Sequence, residues 1–476
     1  MIRRIFLYAS FAMLCTGVFG QTPKPTPTPE FYSNETLRNL KSLQAEALAS
    51  NYSYEMTSYM TDNIGPRLSG SPQAARAVEW VADEMRKLGL KVTLQPVMVP
   101  HWVRGEEIGE LTEFSGMAKG TTQKVVLTAL GGSVSTGEKG IEAEVIVVRN
   151  YDELRALGRK NVEGKIVLYN VKFDKQRADA GNAGSSYGEV VQYRSTGASE
   201  AAKLGAVASL VRSAGGSQNR LAHTGIMHYD EGVAKIPSAA VPYEDAELID
   251  NLVKDGKVKM KLILTPQTLP DVKSYNVLAD LPGTEKPDEI VVVGGHLDSW
   301  DLGTGAIDDA VGVASAMQVP YLLKKMNIKP KRTIRVVAFM TEEFGLYGGK
   351  VYADEANIEK HFAAIEADLG ASHPIGFIFA GSPDARPFIQ PLARILSSQN
   401  SGIIEYRASA SSDISELTAK GVPSFGPWFD TRTYFNYHHN AADTLDKVVP
   451  VELRENGALM AVLAYGLANL EQPLPR

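Results

Sequence analysis

Acids and histidines gather in five short segments of this sequence, each beside an apolar run or a glycine-rich turn. GGHLDSW places His296 and Asp298 directly after IVVVGG. GAIDDAVG brings Asp308 and Asp309 twelve and thirteen residues beyond His296, and FMTEEFGLYGG holds the adjacent Glu342 and Glu343. Asp368 follows in IEADLG, and YFNYHHNAADT carries His438 and His439 ahead of Asp443. Alone, each has an ordinary explanation: a satisfied His–Asp pair, an N-capping Asp, solvated surface acids. Their recurrence in a chain with a single Cys points to a metal site built from His, Asp and Glu, because thiolate clusters are excluded. Five such ligands suit zinc with open coordination positions. With one carboxylate shared they can hold two ions about 3.5–4 Å apart, an arrangement that activates water and clamps a developing oxyanion. Of two adjacent acids such as Glu342 and Glu343, one can bind metal while the other stays free for proton transfer.

Strand ends explain how such distant residues meet. The run IVVVGG at 290–295 is continuously apolar, as a strand buried on both faces should be, and TIRVVAFM at 333–340 repeats the pattern. Residues 362–367 form a weaker third run, and DDAVGVASAMQVPYLLKKM between the first two is helical in pattern despite Pro320. Such alternation predicts a mainly parallel mixed α/β sheet sandwiched by helices, with its site at the carboxyl ends of the strands. SPQAARAVEWVADEMRKLG reads as a helix from an N-capping Ser71 and Pro72 to a terminating Gly89. LKVTLQPVMV alternates like a strand, and residues 450–470 read as a closing amphipathic helix. Residues 105–266 differ in texture: short β-like runs separated by Gly, Ser and Asn, with one clear amphipathic helix, SEAAKLG. They are expected to form a β-rich module inserted into a main domain made of 31–104 and 267–476.

With 476 residues, 44% hydrophobic and 22% charged, the chain has material for two or three well-buried domains. Its 49 Lys and Arg against 55 Asp and Glu leave no basic excess for a phosphate backbone, so nucleic acid is not an expected partner. Residues 1–20, MIRRIFLYASFAMLCTGVFG, show the charged, apolar and small-residue succession of a signal peptide, with Val18 and Gly20 at the −3 and −1 places. Cleavage there removes Cys15, the only thiol, and predicts a secreted or periplasmic protein with no stable membrane insertion. Residues 21–30, QTPKPTPTPE, read as an extended spacer.

GGHLDSWDLGTGAIDDAVG, FMTEEFGLYGG, EADLGA and HHNAADT together resemble the co-catalytic zinc peptidases of the M28 family. Within the family the likeness is to the carboxypeptidase Q group, through HLDSWD and an insertion similar to a protease-associated domain. The resemblance implies two zinc ions per chain: His296 and Asp368 on one, Glu343 and His439 on the other, Asp308 bridging. It makes Glu342 the general base and Asp298 the residue that orients His296. His439 is preferred to His438 because the family's last ligand stands four residues before an Asp/Glu-Thr pair, here Asp443-Thr444. Relatives carry Tyr where this chain has His438, so the oxyanion donor falls to His438 or Tyr437. The segment SASSDISELTAKGVPSFG resembles the family's Ser-Asp loop, with Ser412 and Asp413 at the substrate approach, although Ile414 stands where relatives have His.

The activity so implied is an aminopeptidase or dipeptidase acting on short unblocked peptides. Its rivals are a single-zinc acyltransferase of the glutaminyl cyclase type and a receptor-like binding protein on the same scaffold. An M20-type amidohydrolase would need a longer gap between His-x-Asp and the bridging Asp. Oligomeric state stays open, a homodimer included.

Overall fold

Ser71 accepts a hydrogen bond from the Ala74 amide, Pro72 occupies the first turn, and Gly89 turns the chain at φ +70°. Between them runs the helix Pro72–Lys87, which buries Ala74, Ala77, Val78, Trp80, Val81, Ala82 and Met85. In the computed structural model, which describes residues 31–476, this helix packs on the strands Lys91–Val103 and Gln267–Leu281. The leader and spacer assigned to residues 1–30 lie outside the described residues.

Those two strands begin an eight-stranded mixed sheet. Its order continues Arg332–Phe339, Lys286–His296, His361–Glu366, Ser424–Phe429, Pro374–Ala380 and Ile403–Tyr406. The four strands from Arg332–Phe339 to Ser424–Phe429 are mutually parallel, and antiparallel pairs flank them. Val291 and Val293 pack with the helices Asn34–Ala49, Val311–Lys325 and Pro450–Ala468, while Val292 faces Tyr352 and Leu417 on the other side. A strand covered on both faces has no polar positions to spare, so its polar side chains collect at its end.

Between Val103 and Gln267 the chain leaves this sheet and builds a second one, also of eight strands. Its centre is parallel: Ile141–Val148, Ile166–Tyr169, Ala208–Arg212 and Ser238–Val241. This segment is less purely β than its sequence texture suggests. Besides Gly197–Lys203 it carries the helices Tyr151–Val162, Ala183–Ser195 and Tyr243–Asp255. Ala183–Ser195, AGSSYGEVVQYRS, is poor in strong helix formers and shows no clear apolar stripe, so tertiary contact overrides weak local propensity. Tyr187 from it stacks on Phe435 of the first unit, ring centroids 4.7 Å apart. Among the described residues no helix is long and apolar enough to cross a membrane.

The entry to the helix Val311–Lys325 presses against the end of the strand Lys286–His296. At Gly295 an added Cβ would stand 2.6 Å from an Asp309 carboxylate oxygen and 2.7 Å from the Gly312 and Val313 backbone. Gly295→Ala is therefore expected to destabilise by about 1–3 kcal/mol, as overpacking of a tight core does. Thermal unfolding of the variant measures this, and an unchanged midpoint contradicts the packing described.

Candidate metal centre

His296 is the last residue of its strand and is buried. Its Nδ1 lies 3.0 Å from the Asp298 carbonyl oxygen. Donation of Nδ1–H to that carbonyl leaves the Nε2 lone pair inward, the tautomer a metal ligand needs. Nε2 stands 3.1 Å from Asp308 Oδ1 and 3.3 Å from Asp368 Oδ1. The Asp298 carboxylate, 3.8 Å from the ring, does something else. It accepts the backbone N–H of Thr341 at 2.7 Å and of Glu342 at 3.0 Å. Thr341 has φ +71°, so the carboxylate clamps a left-handed turn that presents Glu342 and Glu343 in different directions. Asp298 thus serves His296 through its backbone and the two glutamates through its side chain.

Asp308 sits between two histidines. Its Oδ1 faces His296, and its Oδ2 lies 3.2 Å from His439 Nε2. The loop that carries it is tied at both ends. Asp443 accepts the amides of Ala306 and Ile307 at 2.8 and 2.7 Å, and the buried Arg67 donates to the carbonyls of Leu297, Thr304 and Gly305. Asp309 accepts the amides of His296 and Gly312, which fixes the loop to the strand. Glu343 Oε2 lies 3.0 Å from His439 Nε2 and accepts the Trp300 indole N–H at 2.6 Å. Asp368 Oδ2 accepts the Ser412 hydroxyl at 2.8 Å.

His296, Asp308, Glu343, Asp368 and His439 therefore converge, and Glu342 is beside them. All of these but His296 line one side of a cavity of about 430 Å³ whose other walls include Tyr187, Arg194, Arg407, Ser412, Tyr434 and His438. His438 Nε2 is 3.5 Å from Asp308 Oδ2. Two of the residues expected at the substrate approach are elsewhere. Tyr437 does not line the cavity; its ring lies under Lys447 Nζ at 5.5 Å. Asp413 is buried behind Ser412, and its amide points at Glu366 Oε1.

Carboxylates packed this closely repel unless cations are supplied. Burial, then Asp368 and Glu343, pushes Glu342 well above the usual carboxylate range. Burial works against charge on the histidines too, yet Asp368 and Asp308 raise His296 well above its ordinary value. Glu343 and Asp308 likewise overcome burial and hold His439 at about 9. His223 and His438 go the other way, well below the ordinary value, through burial and the neighbouring imidazoles.

The donor set fits a divalent ion. One atom from each of His296, Asp308 and Glu343 can be drawn within 4.8 Å of the others, and the same holds for His296, Asp309 and Asp368. Glu343 Oε1 is buried with no hydrogen-bond partner among the described residues, and Asp308 Oδ2 meets only imidazole nitrogens, as oxygens suited to a cation should.

Sequence reading missed the contribution of the segment between the two halves of the main sheet. His223 Nε2 lies 3.0 Å from His438 Nδ1, and Arg194 Nη1 lies 3.4 Å from His439 Nδ1. Neither sits in a motif, and nothing in the neighbouring sequence marks either one. Trp300 was legible as part of HLDSWD, but not as the donor to Glu343.

A mixed α/β sheet with a parallel centre, and with histidines and carboxylates gathered at its strand ends, defines a metallohydrolase scaffold. The sequence pattern of peptidase family M28 matches residues 276–464. Carboxypeptidase Q of Bos taurus is 36% identical over 469 residues, 97% of this chain and 95% of that protein. The crystal structure of a peptidase M28 precursor from Shewanella amazonensis superimposes with a TM-score of 0.87 at 37% identity, covering 93% of this chain and 99% of that one. A zinc aminopeptidase from Bacillus subtilis shares the fold at a TM-score of 0.64 and 20% identity, over 89% of this chain and 98% of that one. The chain belongs to peptidase family M28 and is a metallopeptidase.

Glu343 and Asp308 hold His439 at about 9, so if it serves as a ligand, which requires the neutral ring, metal uptake at pH 7 must displace a proton from it. Calorimetry in buffers of differing ionisation enthalpy should show release of at least one proton per chain, and affinity should rise with pH. A binding enthalpy independent of buffer contradicts the electrostatics described.

Proposed function

We propose that the protein is an exported two-zinc exopeptidase, acting as an aminopeptidase or dipeptidase on short unblocked peptides. The carrying observation is the Asp308 carboxylate, one oxygen on His296 and the other on His439, with Asp368 and Glu343 completing the two sides. Two separate His and carboxylate sets favour this reading over a single-zinc acyltransferase, and a complete ligand set favours it over a binding protein. His296 and Asp368 would hold one zinc, Glu343 and His439 the other, and Asp308 both. Zinc bound there would supply Lewis acidity toward the scissile carbonyl and lower the pKa of the attacking water.

The remaining work falls to side chains of the chain. Glu342 lines the cavity but accepts no side-chain hydrogen bond among the described residues, which leaves its carboxylate free to take a proton from water and pass it to the leaving amine. Its upward-shifted pKa suits a group that must both gain and give a proton. Asp298 fixes the turn that keeps Glu342 apart from Glu343. The acids of the cavity favour the protonated amine of an unblocked peptide, and Arg407 in its wall offers a positive charge to an anionic group of the substrate. Carboxypeptidase Q relatives and aminopeptidase folds support an exopeptidase. Export is inferred from the leader at residues 1–20.

Glu342→Gln should bind zinc normally and lose about 10²–10⁴-fold in kcat, the usual worth of a general base. Hydrolysis of a panel of free dipeptides and aminoacyl amides, together with metal analysis, tests this. Near-normal turnover in the variant refutes the assignment.

A second expectation concerns metal removal. Ligands that bind only the folded state stabilise it, by about 2.7 kcal/mol at a hundred times their Kd. Stripping the metal with a chelator should lower the thermal midpoint by several degrees, and zinc should restore it. Identical melts with and without chelator contradict a site of this kind.

A further inference from the structure

Besides the approach of Arg194 to His439, four contacts fasten the inserted segment to the last metal-binding loop. The Gly216 amide donates to the Phe435 carbonyl at 2.9 Å, and the Thr224 amide donates to the His439 carbonyl at 2.8 Å. Tyr187 stacks on Phe435 and meets the His438 ring edge-on, centroids 5.4 Å apart. The fourth contact is the pair of rings His223 and His438, whose Nε2 and Nδ1 are 3.0 Å apart. His439 itself has φ +60°, a conformation rare outside glycine, and the Thr224 amide holds its carbonyl there.

The direction of the His223 to His438 hydrogen bond follows from what each ring meets at its other nitrogen. His223 Nδ1 is buried with no partner among the described residues. A stranded N–H there is costlier than a stranded lone pair, so the proton belongs on His223 Nε2. At the far end His438 Nε2 faces Asp308 Oδ2 at 3.5 Å, where a lone pair would oppose a carboxylate and an N–H is attracted to it. Both ends select one arrangement: His223 Nε2–H donates to His438 Nδ1, and His438 presents Nε2–H to the cavity.

We propose that His223, from the inserted segment, is a positioning residue that fixes the tautomer of His438, making His438 Nε2–H the donor to the oxyanion of the scissile carbonyl. This rests on the peptidase reading of the cavity. It gives the insertion a part in the reaction: His223 adds to Asp308 in fixing where the donor carries its proton. His223 touches no substrate and acts only through His438.

The test uses the full-length zinc-loaded enzyme and free dipeptides such as alanyl-leucine. His223→Leu should lower kcat about tenfold, less than the roughly 100-fold of deleting an oxyanion donor because a share of the Nε2–H tautomer remains, with KM changed less than about threefold. Zinc content and thermal midpoint should match the wild type. His223→Gln, whose amide N–H can also donate, should recover most of the lost kcat. Imidazole nitrogen NMR of the wild type should find His438 as the Nε2–H tautomer, and His223→Leu should give a mixture. A wild-type His438 carrying its proton on Nδ1 overturns the proposal whatever the variants do. So does a His223→Leu enzyme within threefold of wild-type kcat, or one that loses activity only in step with zinc and melting midpoint. If the wild type hydrolyses no peptide but shows the Nε2–H tautomer, the peptidase reading fails and the oxyanion role with it, while the tautomer control stands.

Discussion

Asp308 holds one carboxylate oxygen toward His296 and the other toward His439, two residues 143 positions apart in sequence. The rest of the site is arranged around that carboxylate. Asp368 and Glu343 stand on its two flanks, Glu342 is adjacent, and Asp309 is its chain neighbour. Gathering so many acids in one buried place costs several kcal/mol per ion unless opposite charge is near. Arg67 does not bond to any of them; it is spent on carbonyls of the loops that carry them. The raised His296 and His439 show where positive charge is wanted, and divalent ions satisfy that want with far more charge.

The scaffold makes this concentration tolerable by anchoring backbone rather than by neutralising side chains. Asp443 grips the Ala306 and Ile307 amides, Asp309 grips those of His296 and Gly312, and Asp298 grips the turn of Thr341 and Glu342. Each of these acids is itself pushed upward in pKa by burial; His296 offsets this at Asp309, His296 and then oriented amides at Asp298, and the Ile307 and Ala306 amides with Arg67 at Asp443. Three backbone clamps, not the ligands themselves, thus set the geometry. The inserted segment adds a fourth at His439, through the Thr224 amide.

The main-sheet half of this could be read from sequence for a simple reason. A strand buried on both faces is an uninterrupted apolar run, and polar residues at its end stand out, as His296, Glu342, Glu343 and Asp368 do. Local capping chemistry made the helix Pro72–Lys87 equally plain. What stayed hidden depends on tertiary contact. The helix Ala183–Ser195 has too weak a pattern to stand out, so Tyr187 and Arg194 gave no sign of reaching the site. His223 looked like any loop histidine until the fold put it against His438. Asp413 and Tyr437, placed near substrate by motif alignment, turn inward and aside because a loop's side-chain direction is not encoded by its spacing.

Anomalous diffraction at the zinc edge from zinc-loaded crystals tests the central claim most directly. Two peaks should flank the Asp308 carboxylate, one beside His296 and Asp368 and the other beside Glu343 and His439. A single peak, or density held instead by His223 and His438, would contradict a shared-carboxylate two-zinc site.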